Sequence, residues 1–91
     1  MIPTIGRIVH YTLSEQDANA ITNQRRVSET HLTGNPVAEG QVYPMVITRT
    51  WGDQSESAVN GQVLLDGNDT YWVTSVSCGE GPRHFVWPGR V

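Results

Sequence analysis

Two runs of β-favouring residues face each other across a short polar interruption. QVLLD (62–66) and TYWVTSV (70–76) flank Gly67 and Asn68 with Asp69, which is the pattern of a β-hairpin. Residues 66–69 are predicted to turn, pairing 62–65 with 70–73, and Gly67 is expected to hold a φ that a β-carbon resists. Residues 5–13 (IGRIVHYTL) alternate in part, with Ile8, His10 and Thr12 on one face and Arg7, Val9, Tyr11 and Leu13 on the other. That is a first strand. Residues 42–51 (VYPMVITRTW) form a second, in which Pro44 suggests an edge or an early bulge. A last short strand is expected over 83–87, closed by Pro88.

One segment has the marks of a helix. Ser14 is placed as an N-cap, Asp17 as its capping-box partner three residues on, and Leu13 as a hydrophobic staple. Glu15 and Asp17 in the first turn and Arg25 and Arg26 in the last both suit the helix dipole. The helix, near residues 15–26, has little apolar stripe beyond Ala18 and Ile21, so it is expected to flank a sheet and not to build a core. Residues 28–40 read as a loop. These elements predict a mainly β fold: a small SH3-like antiparallel barrel of about five strands with one short helix.

At 91 residues the chain makes a single domain over 1–91 with one small core. Nine acids against six basic residues give a net charge of −3, the wrong sign for coating duplex nucleic acid. The acids are scattered, which also argues against a mimic of DNA. All six basic residues are arginine, whose flat fork suits phosphate and carboxylate and stacks on aromatics; a GC-rich coding bias gives the same composition. Cys78 is the only cysteine, so no intrachain disulfide forms and a reducing cytoplasm is the simpler setting. The start MIPTIGRIVHY has no basic region followed by a long apolar stretch, and no run approaches the ~18 apolar residues of a membrane span.

Motifs for metal, phosphate or nucleophile chemistry do not occur: His10, His31, His84 and Cys78 have no zinc-ligand spacing, and no Gly-rich phosphate loop or GxSxG elbow is present. Neither metal nor cofactor is expected. His10-Tyr11-Thr12 and His31-Leu32-Thr33 are both His-x-Thr, the motif that two-histidine phosphoesterases use in pairs for acid–base work and phosphate binding. A phosphoesterase is therefore one candidate, although His31 falls in the expected loop. The other constellation is aromatic and basic. Arg49 lies two residues from Trp51, and Arg83, Phe85 and Trp87 share a strand face. Arginine beside an aromatic stacks a base while its fork takes phosphate. For Trp51 and Trp72 the core is the favoured place; for Trp87 core and surface stand even.

GRIVHY near the start, PMVITRTWG, VNGQVLLDG, YWVTSV and a closing WP, in that order, resemble a family of small phage and prophage proteins. The resemblance spans most of the chain outside residues 14–40. Its relatives often close with Trp-His-Trp-Pro, where this chain has Phe85-Val86-Trp87-Pro88, so the histidine position is Val86. The polar and aromatic set carried over is His10, Tyr11, Arg49, Trp51, Asn60, Gln62, Asp66, Thr74, Ser75 and Trp87. The family brings no activity. It implies a phage product at work in the host bacterial cytoplasm.

Three functions follow. The first is a non-enzymatic binder that sequesters a small nucleotide-derived host immune signal. The second is a protein-contacting phage component, either an inhibitor of a defence enzyme or a virion assembly part. The third is the His-x-Thr phosphoesterase. A barrel this small is filled by its own side chains, and a ligand pocket needs about 300 Å³. A nucleotide pocket is therefore expected at the seam of a homo-oligomer, drawing on Arg49, Trp51, Arg83 and Trp87 with His10 or Tyr11 nearby.

Overall fold

Alternation along the strands sets which side chains turn inward. In the computed structural model, which describes residues 1–28 and 31–89, β1 (Ile8–Thr12) buries Val9 and Tyr11 and exposes Ile8 and His10. Strand β2 (Val42–Thr50) buries Met45 and Ile47, β3 (Val59–Leu64) buries Val59 and Val63, and β4 (Thr70–Cys78) buries Val73 and Val76. The short β5 (His84–Val86) contributes Phe85. These side chains meet in one core. Each full burial of a Val-, Met- or Phe-sized group favours folding by about 1.5–3 kcal/mol.

The sheet closes in the order β1-β2-β3-β4-β5, so the barrel has no free edge. Four of its pairings are antiparallel, while β4 and β5 run parallel through Ser77↔His84 and Cys78↔Phe85. That one parallel contact departs from the fully antiparallel barrel that the turn signals imply. Closure also corrects the reading of Pro44: it sits inside β2, opposite His10 of β1, one residue before the pairing with β3 begins at Met45. The irregularity of β2 lies further on. The register with β3 steps from Ile47↔Gly61 to Arg49↔Asn60, leaving Thr48 as an extra residue.

Helix α1 (Glu15–Val27) starts on the capping box anticipated above: the Ser14 hydroxyl accepts from the Asp17 N–H at 3.0 Å, and the Asp17 carboxylate accepts from the Ser14 N–H at 3.0 Å. The helix does more than flank the sheet, because Ile21 is fully buried in the core cluster beside Leu13. Asp17 is itself buried. Its carboxylate accepts the Tyr11 hydroxyl from β1 and, at 3.1 Å, the Tyr71 hydroxyl from β4. The Arg83 guanidinium stands 3.8 Å away. One carboxylate thus ties helix, β1, β4 and the entry to β5 together.

The far end of α1 is fixed to the β3–β4 turn. Arg25 grips Asp69 with a two-pronged contact, Nε and one terminal nitrogen each at 3.0 Å, and donates its other terminal nitrogen to the Asn35 carbonyl at 2.8 Å. The hairpin forms where expected, but its register is one residue off. Pairing 62–65 with 70–73 would set Leu65 opposite Thr70, whereas Leu64 stands there, followed by Val63↔Tyr71 and Gln62↔Trp72. Leu65 turns into the core at the end of the strand. The reason for Gly67 is different from the expected one. Positive φ occurs at Gly6, Gly40 and Gly81 and not at Gly67. Instead Gly67 bridges to Gly34 of the preceding loop, and a β-carbon there would collide with the Thr33 carbonyl oxygen and meet the Gly34 Cα at 2.6 Å. The expected loop is confirmed over its described part; Glu29 and Thr30 lie outside the described residues.

Two stability outcomes follow. Gly67→Val is expected to destabilise by about 1–3 kcal/mol, because two backbones must separate to admit the side chain. Asp17→Ala is expected to cost more, about 3 kcal/mol or above, since it leaves two phenol hydroxyls and the N-cap amide without their acceptor. Chemical denaturation of both variants against the parent checks each figure; an Asp17→Ala variant as stable as the parent would refute the tie.

Candidate functional site

Strand directions place the aromatic and basic residues at one mouth of the barrel. Since β1 is antiparallel to β2 and β5, and β2 to β3, the residues before β1, after β2, after β5 and at the start of β3 lie at the same end. Arg49, Trp51 and Asn60 gather there, as do Arg7 and Trp87. The capped helix start and the Asp17 cluster hold the opposite end.

The extra residue Thr48 decides which way Arg49 and Trp51 point. They have the same parity as the inward Met45 and Ile47, so an unbroken strand would turn them into the core. The bulge instead puts Arg49 opposite Asn60 and Thr50 opposite the fully buried Val59, which reverses the alternation beyond it. Trp51 is accordingly 54% exposed, and Trp72, on the outer face of β4, is 59% exposed. The core placement favoured for both tryptophans is thereby corrected.

Trp51 is exposed but not free to swing. Its indole N–H donates to the Asn60 Oδ1 at 3.0 Å, and its backbone N–H donates to the Ala58 carbonyl at 2.9 Å. The Arg49 guanidinium lies over the ring, 4.0 Å from its centroid, a cation–π distance. The same Asn60 oxygen accepts the Ser75 N–H at 2.9 Å. Ser75 sits at φ 54°, a left-handed conformation that a non-glycine residue keeps only where its surroundings hold it. Asn60 supplies that hold and aims Trp51 at once.

A second stack lies over the mouth itself. Arg7 covers the Trp87 ring at 5.1 Å, and Trp87 meets Phe85 edge-on with centroids 6.0 Å apart. Trp87 is half-buried, between the two places open to it. Arg7 was not among the candidates. Its signal is positional: it shares the inward face of the first strand with Val9 and Tyr11, and an inward side chain just before the strand begins emerges at the mouth.

The remaining candidates go elsewhere. Tyr11 is fully buried with its hydroxyl on Asp17, so it belongs to the framework. Arg83 turns toward Asp17 and the Thr74 carbonyl, at 3.4 Å. It approaches the platform only through the Thr74–Ser75 peptide, whose N–H is held by Asn60. His10 is exposed on the outside of β1 between Pro44 and Val86. His31 lies in the loop, its carbonyl against Asn68 of the hairpin turn, so the two His-x-Thr motifs do not stand on neighbouring strands. Cys78, expected as a small apolar filler, is exposed. Among the described residues no group of three or more His, Cys, Asp or Glu side chains could hold a metal ion, and no ligand-sized cavity opens. No helix among them is long and apolar enough to cross a membrane.

The architecture is thus a small closed β-barrel with a fixed arginine–tryptophan platform on its rim. No family model matches the chain, and neither a curated protein nor a solved structure matches it.

The framework's own ionisation defines a pH window. Burial first, and then Asp17, push the Tyr11 hydroxyl far above its ordinary 10.0, and Tyr71 moves the same way for the same reasons. Both phenols therefore keep their protons in the fold after the unfolded chain has begun to lose them. Their contribution is complete below pH 10 and falls as pH rises beyond it. Asp69 has the opposite sign: its bond to Arg25 holds the carboxyl below its ordinary 3.8, so its contribution is complete above that value and lost as pH falls through the lowered one. Melting temperature is expected to be flat between these limits and to drop on both sides. Tyr71→Phe is expected to make the alkaline drop shallower, which a melting series from pH 9 upward reads directly.

Proposed function

We propose that this chain is a phage-encoded, non-enzymatic binder of a small nucleotide-like ligand, which sequesters a nucleotide-derived immune signal in the host cytoplasm. The observation that carries this reading is the Arg49–Trp51 stack, fixed by Asn60 and open to solvent. Arg49 covers one face of the indole and leaves the other for a base, while its fork presents donors for phosphate through charge-assisted hydrogen bonds. Arg7 and Trp87 repeat the combination at the same barrel end. The setting in a phage comes from the ordered GRIVHY, VNGQVLLDG and closing WP elements. Because a single copy has no ligand-sized cavity among its described residues, the binder is proposed to work as a homo-oligomer whose second copy walls in the platform.

A second reading, a protein-contacting phage component that inhibits a defence enzyme or joins virion assembly, is favoured by one observation. The outer face of β2, β3 and β4 carries exposed Trp72 and Leu64, with charged side chains only at its two ends, Arg49 and Asp66. Incubating the purified protein with a panel of nucleotides, then identifying what heat denaturation releases, separates the possibilities. Intact nucleotide supports the binder, a cleaved product supports the phosphoesterase, and the absence of any bound nucleotide supports the protein-contacting role. In the first case Arg49→Ala is expected to weaken binding by roughly 1.5–3 kcal/mol. The melting temperature of the free protein should stay unchanged, since Arg49 touches only an exposed ring. Titration calorimetry and a thermal melt on the same sample check both halves.

A further inference from the structure

Charge is distributed unevenly between the strands and the rest of the molecule. Among the described residues no acid lies in a strand, and Arg49 is the only arginine that does. The outward positions of β2, β3 and β4 short of the bulge are Val42, Pro44, Val46, Gln62, Leu64, Thr70 and Trp72. Register puts Val46, Gln62 and Trp72 in one row across three neighbouring strands. Leu64 stands in the adjoining row, opposite Thr70. Trp72 at 59% exposure, Leu64 at 39% and Val42 at 53% leave a large apolar area in water. Barrel closure excludes partners that add a strand to an edge, so whatever covers this flank must pack face to face.

We propose that a second copy of this chain covers the outer flank of β2–β3–β4, with Trp72 as its anchor. The argument is one of charge. A strongly basic or acidic partner, or an anionic lipid surface, would find charge only at the two ends of this flank, Arg49 beyond Val46 and Asp66 beyond Leu64, and none among the seven positions between. A copy of a chain carrying −3 is repelled elsewhere on its surface. On this flank it meets an uncharged face identical to its own, which is what a two-fold interface requires. Trp72, with Leu64 on the diagonal across β3 and β4, has the residue type that most often anchors such a contact.

The inference deepens the homo-oligomer part of the proposed function and rests on it. Beyond the Val46–Gln62–Trp72 row, the next outward pair across β2 and β3 is Arg49↔Asn60. A copy seated on the flank therefore borders the Arg49–Trp51 platform and supplies the missing wall.

Sedimentation equilibrium of the full chain, from micromolar to submillimolar concentration, tests it against Trp72→Arg and Leu64→Arg. Both residues are exposed, and a thermal melt confirms that each variant folds. The parent is expected to dimerise, and Trp72→Arg to raise the dissociation constant at least about thirtyfold. A parent that stays monomeric throughout overturns both this inference and the homo-oligomer. A dimer that neither variant weakens overturns the flank alone. A dimer weakened by the variants, in a protein from which no nucleotide is recovered, upholds the flank and removes the ligand instead.

Discussion

The carboxylate of Asp17 is where the separate pieces of this chain become one structure. A charge buried without partners costs several kcal/mol, yet here it is met by two phenol hydroxyls, the N-cap amide and a nearby guanidinium. Each donor comes from a different place: the end of β1, the start of β4, the turn into α1 and the turn into β5. A 91-residue chain has little apolar mass to spare. A fully satisfied polar centre that orients four segments does what a larger core would otherwise have to do. It also explains why a helix with a weak apolar stripe docks at all. Its N-terminus is pinned by Asp17 and its C-terminus by the Arg25–Asp69 fork, while Ile21 between them fills the gap.

Because both anchors lie toward the helix-capped side, the other mouth is free to vary. There the structure departs from regularity, and the departures fall together. Thr48 is inserted in β2, and the β3–β4 ladder slips between Val59 and Gly61. Asn60 lies between these slips and uses one oxygen to hold both the Trp51 indole and the strained Ser75 backbone. Bulges of this kind re-aim side chains and concentrate beside functional surfaces. Gly61 belongs to the same device on the inner side. A β-carbon there would meet Met45 at 2.6 Å, so its absence lets Met45 fill the barrel directly beneath the platform.

What could be read in the sequence follows from which interactions are local. The capping box, the helix span and the presence of the hairpin depend on residues a few positions apart, and the chain states them openly. The register of the hairpin, one residue from the expected one, is not stated in this way. The barrel's closure and its five strands follow from spacing and alternation. Long-range contacts were less legible. Gly67 is required by Gly34, thirty-three positions away, and no local rule distinguishes that from a turn glycine. Tyr11 was chosen as a contact because it is a polar aromatic on a strand, when its hydroxyl serves Asp17. The two tryptophans failed for distinct reasons. Trp51 has inward parity that a one-residue bulge cancels, and a sequence does not show where a bulge falls. Trp72 would share the inward face of Val63 in the expected pairing, and the one-residue step that pairs it with Gln62 instead turns it outward.

That last contrast bears on function. A buried tryptophan contributes to stability wherever it packs, but one left in water beside other exposed apolar side chains belongs to a patch of the kind that marks an interaction surface. Trp51 is already partly covered, by Arg49 on one face and through its N–H by Asn60. Trp72 has no such cover from its neighbours in the row, Gln62 and Val46, which stand beside it on the sheet. The two rings therefore call for different complements. Trp51, charged on one side and fixed in orientation, suits a planar polar ligand; Trp72, at the β4 end of an uncharged outward row, suits an apolar surface. Since the outward row of Trp72 ends one step from Arg49, the two rings share one continuous outer surface, and the proposed seam between copies would serve both.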